Sequence, residues 1–195
     1  ELMAYANPRA SGIRAIGLEE RDEVIGVRLT DGNQEIILST AEGQSIRFKE
    51  EQVRPTGRGT FGVVGMKLDP EDKVVSMEIL SLGVDILTVA EGGYGKRTAM
   101  DEYRLQSRGG KGVITMKTTD KTGRVIGVQL VTEEDQLMMI TNIGKIIRLR
   151  IKDIRVIGRN TQGVRLIELE EGERVVSVAR LAEKEEEDEE EKTDE

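Results

Sequence analysis

The chain contains no cysteine and no histidine, and only three of its 195 residues are proline. Without cysteine there are no disulfides and no thiolate chemistry. Without histidine the commonest general base and metal ligand is missing. Aromatic residues make up 3% of the chain, and the tyrosines Tyr5, Tyr94 and Tyr103 have no evident base beside them in sequence. The carboxylates scatter through turns and do not gather as an acid–base pair. Apolar runs such as 137–140 are far too short to span a bilayer. No signal peptide opens the chain, which begins Glu1-Leu2-Met3 as though in the middle of something. These absences predict a soluble cytoplasmic protein with no catalytic centre, metal or cofactor of its own.

An excess of charge is missing too, once its location is considered. The net charge is −8, but residues 183–195 hold ten acids and two lysines, leaving 27 basic and 27 acidic side chains in the rest. A run so acidic cannot pack a core, and 183–195 is expected to be a disordered tail.

What is abundant is glycine, with 22 residues, and it is periodic. Gly12, Gly62, Gly112 and Gly163 stand 50, 50 and 51 residues apart. An apolar pair follows each: Val24-Ile25, Val74-Val75, Val125-Ile126 and Val175-Val176. A second glycine follows the first three, Gly43, Gly93 and Gly144, each with an arginine four residues on (Arg47, Arg97, Arg148). A period of this length marks a blade or solenoid array.

Each repeat reads as four short strands, rich in β-branched residues and separated by polar or glycine turns. The first strands are expected at 13–18, 63–68, 113–118 and 164–169. Second strands carry the apolar pairs. Third strands are expected at 35–40, 85–90 and 136–141, and fourth strands at 45–48, 96–99 and 145–149. Four strands per unit is the composition of a propeller blade. The expected fold is all-β, a β-pinwheel or propeller-like array of four-stranded blades with about four repeats, three full and one partial. Boundaries follow the glycine loops: a trailing strand of an upstream blade at 1–5, blades at 6–53, 54–103 and 104–154, and a partial blade at 155–182. Such ends read as those of a fragment of a longer chain.

The loops before the anchor glycines are basic. They contain Arg9; Arg58; Arg108 with Lys111; and Arg159. Glycine lets the backbone approach a ligand and point its amides outward, and an adjacent arginine can grip a phosphate through two N–H groups. One such loop per blade gives a row of cations suited to a long polyanion. The other reading of any single loop is a tight inter-blade turn. The most basic and flexible is Gln106-Ser107-Arg108-Gly109-Gly110-Lys111-Gly112. The segment 92–97 has neither the spacing nor the helix of a nucleotide-binding loop.

Three stretches carry a family resemblance: Gly93-Tyr94-Gly95-Lys96-Arg97-Thr98, Gln106 to Gly112, and Ile157-Gly158-Arg159-Asn160-Thr161-Gln162-Gly163-Val164. With Leu137-Met138-Met139-Ile140-Thr141 and the acidic tail, they make the whole chain resemble the C-terminal β-pinwheel domain of the DNA gyrase A family, a part of bacterial type II topoisomerases. The resemblance implies a propeller of about six blades with altered strand order, around whose basic rim double-stranded DNA wraps. Such wrapping supports ATP-driven negative supercoiling by the parent heterotetramer, an isomerase. The implied partners are gyrase B, the second protein of that heterotetramer, together with the remainder of gyrase A. ATP and Mg are bound elsewhere in that complex, and the location is the bacterial cytoplasm at the nucleoid. Residues 106–112 are similar to the family's Gln-Arg-Arg-Gly-Gly-Lys-Gly box, with Ser107 in place of the first arginine, and read as a box-like copy in a late blade.

The expected DNA contacts are Arg58, Arg97, Arg104, Gln106, Arg108, Gly109, Gly110, Lys111, Gly112, Arg148, Arg150 and Arg159. Phosphate contacts of this kind carry no sequence information. Arg14, Arg28, Lys117 and Arg165 lie within expected strands and read equally as a solvated face paired with glutamates. The tail reads as a solubilising end or as an internal competitor for the rim. The alternatives are the related domain of topoisomerase IV, which binds DNA without full wrapping, and a propeller that serves as a protein-interaction platform.

Overall fold

The structure is a computed structural model and describes residues 2–181. The acidic tail, 183–195, lies outside the described residues. Eleven strands form in the order β1 (Glu35–Thr40), β2 (Gln44–Lys49), β3 (Val74–Leu80), β4 (Asp85–Ala90), β5 (Tyr94–Ala99), β6 (Val113–Ile114), β7 (Val125–Val131), β8 (Gln136–Thr141), β9 (Ile146–Arg150), β10 (Val164–Arg165) and β11 (Val175–Leu181). The expected third strands appear with the expected bounds. The only helices among the described residues are 3-10 turns, at Leu2–Tyr5, Glu50–Gln52, Met100–Glu102 and Ile151–Asp153. The first takes the place of the trailing strand expected at 1–5.

The strands make three antiparallel sheets, ordered β3-β1-β2-β6, β10-β5-β4-β7 and β11-β8-β9. A glycine turn closes each central hairpin. In the first, Gly43 has φ +79° and its N–H donates to Thr40 O at 3.1 Å. The all-β array of four-stranded blades is thus realised, but no sheet is built from one repeat. The hairpin β1–β2 comes from one repeat, β3 from the next and β6 from the one after. The second sheet is assembled in the same way from β4–β5, β7 and β10. Registers repeat as well: Glu35 faces Leu80 as Asp85 faces Val131, and Ser45 faces Val113 as Gly95 faces Val164.

This exchange accounts for where the strand expectations fail. The first strand of a repeat exists only where it reaches the hairpin two repeats earlier, and only as the residue pairs of β6 and β10. Segments 13–18 and 63–68 have no such hairpin among the described residues and form no strand. For the same reason the apolar stretch 24–30, the counterpart of β3, β7 and β11, is not a strand, and Val27 and Leu29 are each 79% exposed.

The core lies between consecutive sheets. Ile37, Leu80, Ile86, Tyr103, Met116, Val125 and Val128 fill the space between the first and second sheets. Leu87, Val89, Val131, Leu137, Met139, Ile151 and Ile154 fill that between the second and third. Ile86 and Leu87 are neighbours on β4 yet enter different cores, because successive side chains of a strand point to opposite faces. β4 is therefore buried on both sides, and for that reason its sequence shows no polar alternation. Strand β3 packs beside β7, and β7 beside β11. Together with Arg28 and Leu29 these strands line an open cleft of about 630 Å³. The opposite edge of each four-stranded sheet, β6 or β10, forms a rim away from this cleft.

Candidate nucleic-acid interface

The basic loops lie where the exchanged edge strands begin. Gly112 and Gly163 open β6 and β10 with φ of +87° and +77°. A side chain at Gly163 would stand 2.6 Å from Gly95 O, and at Gly112 it would strike the Ser45 carbonyl, with the carbonyl carbon at 2.8 Å. The anchor glycine is thus required twice over, by its dihedral and by its contact with a strand two repeats away.

The loop arginines have a role that the sequence did not disclose. The Arg108 backbone N–H donates to Gln52 Oε1 at 2.7 Å, its Nε donates to Gln52 O at 3.1 Å, and its Nη1 donates to Val64 O. Arg159 repeats the pattern, donating from its backbone N–H to Glu102 Oε2 at 3.0 Å, from Nε to Glu102 O at 3.1 Å and from Nη1 to Ile114 O at 2.9 Å. Arg58 retains one element of it, Nη1 to Arg14 O at 3.3 Å. The spacing of arginine from glycine is therefore partly architectural: each guanidinium pins its loop to earlier turns. Arg108 and Arg159 remain partly exposed, and their Nη2 groups have no acceptor among the described residues. Each can hold the fold and still offer donors to a phosphate.

The other expected contacts separate by burial. Arg104 is exposed and has no partner among the described residues. Lys111 pairs with Asp69 at 2.7 Å and Arg150 with Asp153 at 2.8 Å, with every side chain more than half exposed. Arg148 is exposed and donates to Gln136. Such surface pairs are worth about 0–1 kcal/mol, so a phosphate can replace the carboxylate at little cost. The Gln106 backbone N–H donates to Arg47 O at 2.8 Å, which fixes the start of its loop. Gly109 and Gly110 hold the loop against the preceding repeat, with Gly109 N donating to Gly65 O at 2.7 Å and Gly110 O accepting from Lys67 N at 2.9 Å.

Arg97 needs correction. It is 4% exposed, and its Nε donates to Ile154 O at 2.8 Å while its Nη1 pairs with Asp85 at 3.5 Å and Glu133 at 3.3 Å. Arg47 has the equivalent partners in the first sheet, Glu35 at 2.6 Å and Tyr103 O at 3.0 Å. Arg47 and Arg97, which follow the first two turn glycines, therefore brace successive repeats, and burial removes Arg97 from the expected DNA contacts.

Beside it, Lys96 is fully buried and its Nζ donates to Gly158 O at 2.7 Å, to Arg159 O, and to Thr161 Oγ1 at 3.2 Å. The corresponding residues in the neighbouring repeats are Ile46 and Ile147. Burial lowers the Lys96 amine from an ordinary 10.5 to about 8. The unfolded chain keeps this proton to higher pH than the folded chain does. Between these values the unfolded state binds more protons, so this group's contribution to stability rises with pH from about 8 to about 10.5. From pH 8 to pH 10 the denaturant midpoint should therefore rise more, or fall less, for the parent than for Lys96→Met. A steeper rise in the variant would refute this.

Residues 5–31, 34–81, 85–132 and 135–182 match the family described as DNA gyrase C-terminal domain, beta-propeller. The chain belongs to this family. It is 48% identical over 182 residues to the DNA gyrase A protein of Salmonella typhimurium, covering 93% of this chain and 21% of that protein. The Escherichia coli gyrase A protein is 47% identical over the same length and coverage. The chain thus spans about a fifth of the curated relatives it matches. Among solved structures, the C-terminal domain of DNA topoisomerase IV is similar with a TM-score of 0.88 at 29% identity, covering 93% of this chain and 57% of that one. A DNA gyrase A C-terminal domain is similar at 0.80 and 29%, covering 87% and 58%. The matched segments begin at 34, 85 and 135, at the central hairpins, and each takes in one hairpin and the inner strand of the next repeat.

Proposed function

We propose that this chain is a DNA-binding and DNA-wrapping module of a gyrase A protein, holding duplex DNA through its phosphates along the rim. The observation that carries this reading is the loop that recurs at Arg108 and Arg159, an arginine and a positive-φ glycine held at the rim edge of successive sheets, with Arg58 in the equivalent loop of the repeat before. Rigid donors repeated in register suit a regular polyanion, and they carry no base-specific geometry. The wider assignment rests on family membership: a type II topoisomerase, working with gyrase B in the bacterial cytoplasm at the nucleoid, with ATP and Mg used elsewhere in the complex. Among the described residues no helix is long and apolar enough to cross a membrane. The units of duplication proposed are 6–53, 54–103, 104–154 and 155–182, woven together through their exchanged strands.

The test is affinity for a linear duplex of random sequence across a salt series. About six phosphate contacts would weaken binding roughly 10³-fold between about 50 and 200 mM salt. Salt-independent binding, or none at low salt, would leave the interaction-platform reading. The topoisomerase IV domain is the alternative reading; it shares the fold, but the sequence is far nearer to gyrase A proteins, which favours gyrase. The handedness of supercoils trapped on closed circular DNA separates it from gyrase-type wrapping.

A further inference from the structure

The second sheet carries a basic cluster on its rim that the first sheet lacks. Lys121 Nζ lies 5.1 Å from the centroid of the Tyr94 ring, and Arg165 Cζ lies 5.9 Å from it. Arg165 Nε and Nη2 each approach Tyr94 Oη at 3.4 Å. The backbone beneath the cluster is fixed. Tyr94 faces Arg165 across the β5–β10 pairing. The turn that carries Lys121 is held by Gly123 N donating to Thr119 O at 2.9 Å and by Gly92 N donating to Thr122 O at 2.7 Å. Glu168 pairs with Arg165 at 3.6 Å but is 88% exposed on its side chain, so it neutralises the arginine weakly.

The first sheet serves as an internal control. Its β2–β6 pairing places Gln44 opposite Ile114 where the second sheet has Tyr94 opposite Arg165. Nine residues after the anchor glycine it has Glu71 where the second sheet has Lys121. The same backbone is thus built without the cluster, and three side chains change together from one acid and no base to two bases and no acid. Packing accounts for the Tyr94 ring, which is 8% exposed and part of the core, but not for the two exposed bases beside it. Two cations within 6 Å of one neutral ring are short of an anion, and a phosphodiester supplies one: its non-bridging oxygens suit the arginine fork, the ammonium and the phenol O–H. The direction of the Tyr94 shift agrees, since hydrogen bonds from Arg165 and then Lys121 hold its phenol below the ordinary value. β10 is the edge farthest from the cleft-lining β7, so the cluster stands on the rim.

We propose that Lys121 and Arg165, spaced by the Tyr94 ring, form a clamp for the phosphodiester backbone of duplex DNA, which makes the second sheet a stronger point of attachment than the first. This rests on the DNA-wrapping reading and adds a contact that the glycine loops do not provide. The test compares the K121Q/R165Q double variant with a K49Q/K152Q double variant that removes the same charge elsewhere, using random-sequence duplex DNA across a salt series. The clamp predicts a salt slope lower by about one to two in the first variant and near parental in the second, with affinity at moderate salt down roughly tenfold or more. Y94F, which keeps the ring and loses the O–H, should lie between parent and K121Q/R165Q. The single variant K121Q, in an exposed turn, keeps the test decisive should R165Q unfold. Equal slopes for the two double variants would overturn the clamp while leaving the wrapping reading in place. Salt-independent binding by the parent would overturn both.

Discussion

Replacing Gly112 or Gly163 by alanine should destabilise the chain by about 3 kcal/mol or more, whereas the same change at Gly12 or Gly62 should cost about 1–2 kcal/mol. All four glycines have φ between +77° and +87°, so the conformational part of the effect is common to them. What differs is the surroundings. A new Cβ meets no atom within 4 Å at Gly12, and at Gly62 only Ile16 Cδ1 at 3.8 Å. At Gly112 and Gly163 it meets the backbone of β2 and β5, which cannot move without breaking a sheet. The difference between the two pairs of variants, measured by chemical denaturation, isolates the contribution of the exchanged edge strand. Equal losses at all four positions would mean that β6 and β10 are not docked against those backbones.

The second large effect is expected at Arg97. Arg97→Met should cost about 3 kcal/mol, since it leaves the Ile154 carbonyl without its donor and Asp85 without its cation at a buried site. Arg148→Met, at the same position one repeat later, should cost less than about 0.5 kcal/mol because that side chain is exposed. Thermal unfolding of the two variants decides the matter. A loss at Arg97 no larger than that at Arg148 would show the brace to be energetically empty. DNA affinity should move the opposite way: little changed for Arg97→Met wherever it remains folded, and reduced for Arg148→Met.

The repeat, the strand class and the central hairpins were legible in the sequence because they depend on local rules. The hairpin turns require glycine with positive φ, and strands such as 35–40 and 85–90 are dense in β-branched and apolar residues. The inner strands β3, β7 and β11 open on the expected apolar pairs, but the pairing of edge and inner strands was not legible, because nothing local says that Val113 pairs with Ser45, sixty-eight residues earlier, and not with its own repeat. The site divides in the same way. Basic residues next to glycine drew attention to Arg108, Lys111 and Arg159, and the structure keeps them at the surface. Arg97 carries the same local signal and is buried, because its acceptors, Ile154 O and Glu133, come from the following repeat. Lys121 and Arg165 carry no glycine-loop signal, and only the pairing of β5 with β10 brings them to one ring.

The woven sheets also set an order of assembly in time. A chain leaving the ribosome presents the hairpin β1–β2 long before β3 emerges, and the last strand of that sheet, β6, arrives only at residue 113. At roughly 5–20 residues per second the first hairpin waits several seconds with a bare edge. Each later sheet repeats the delay, so synthesis always trails an unfinished sheet behind it. The same weave works against piecemeal loss in the finished molecule. In ordinary repeat arrays an end can peel away one unit at a time, since each touches only its neighbours. Here, releasing 155–181 strips the rim strand from the second sheet and the inner strand from the third at once, so those two sheets should open together.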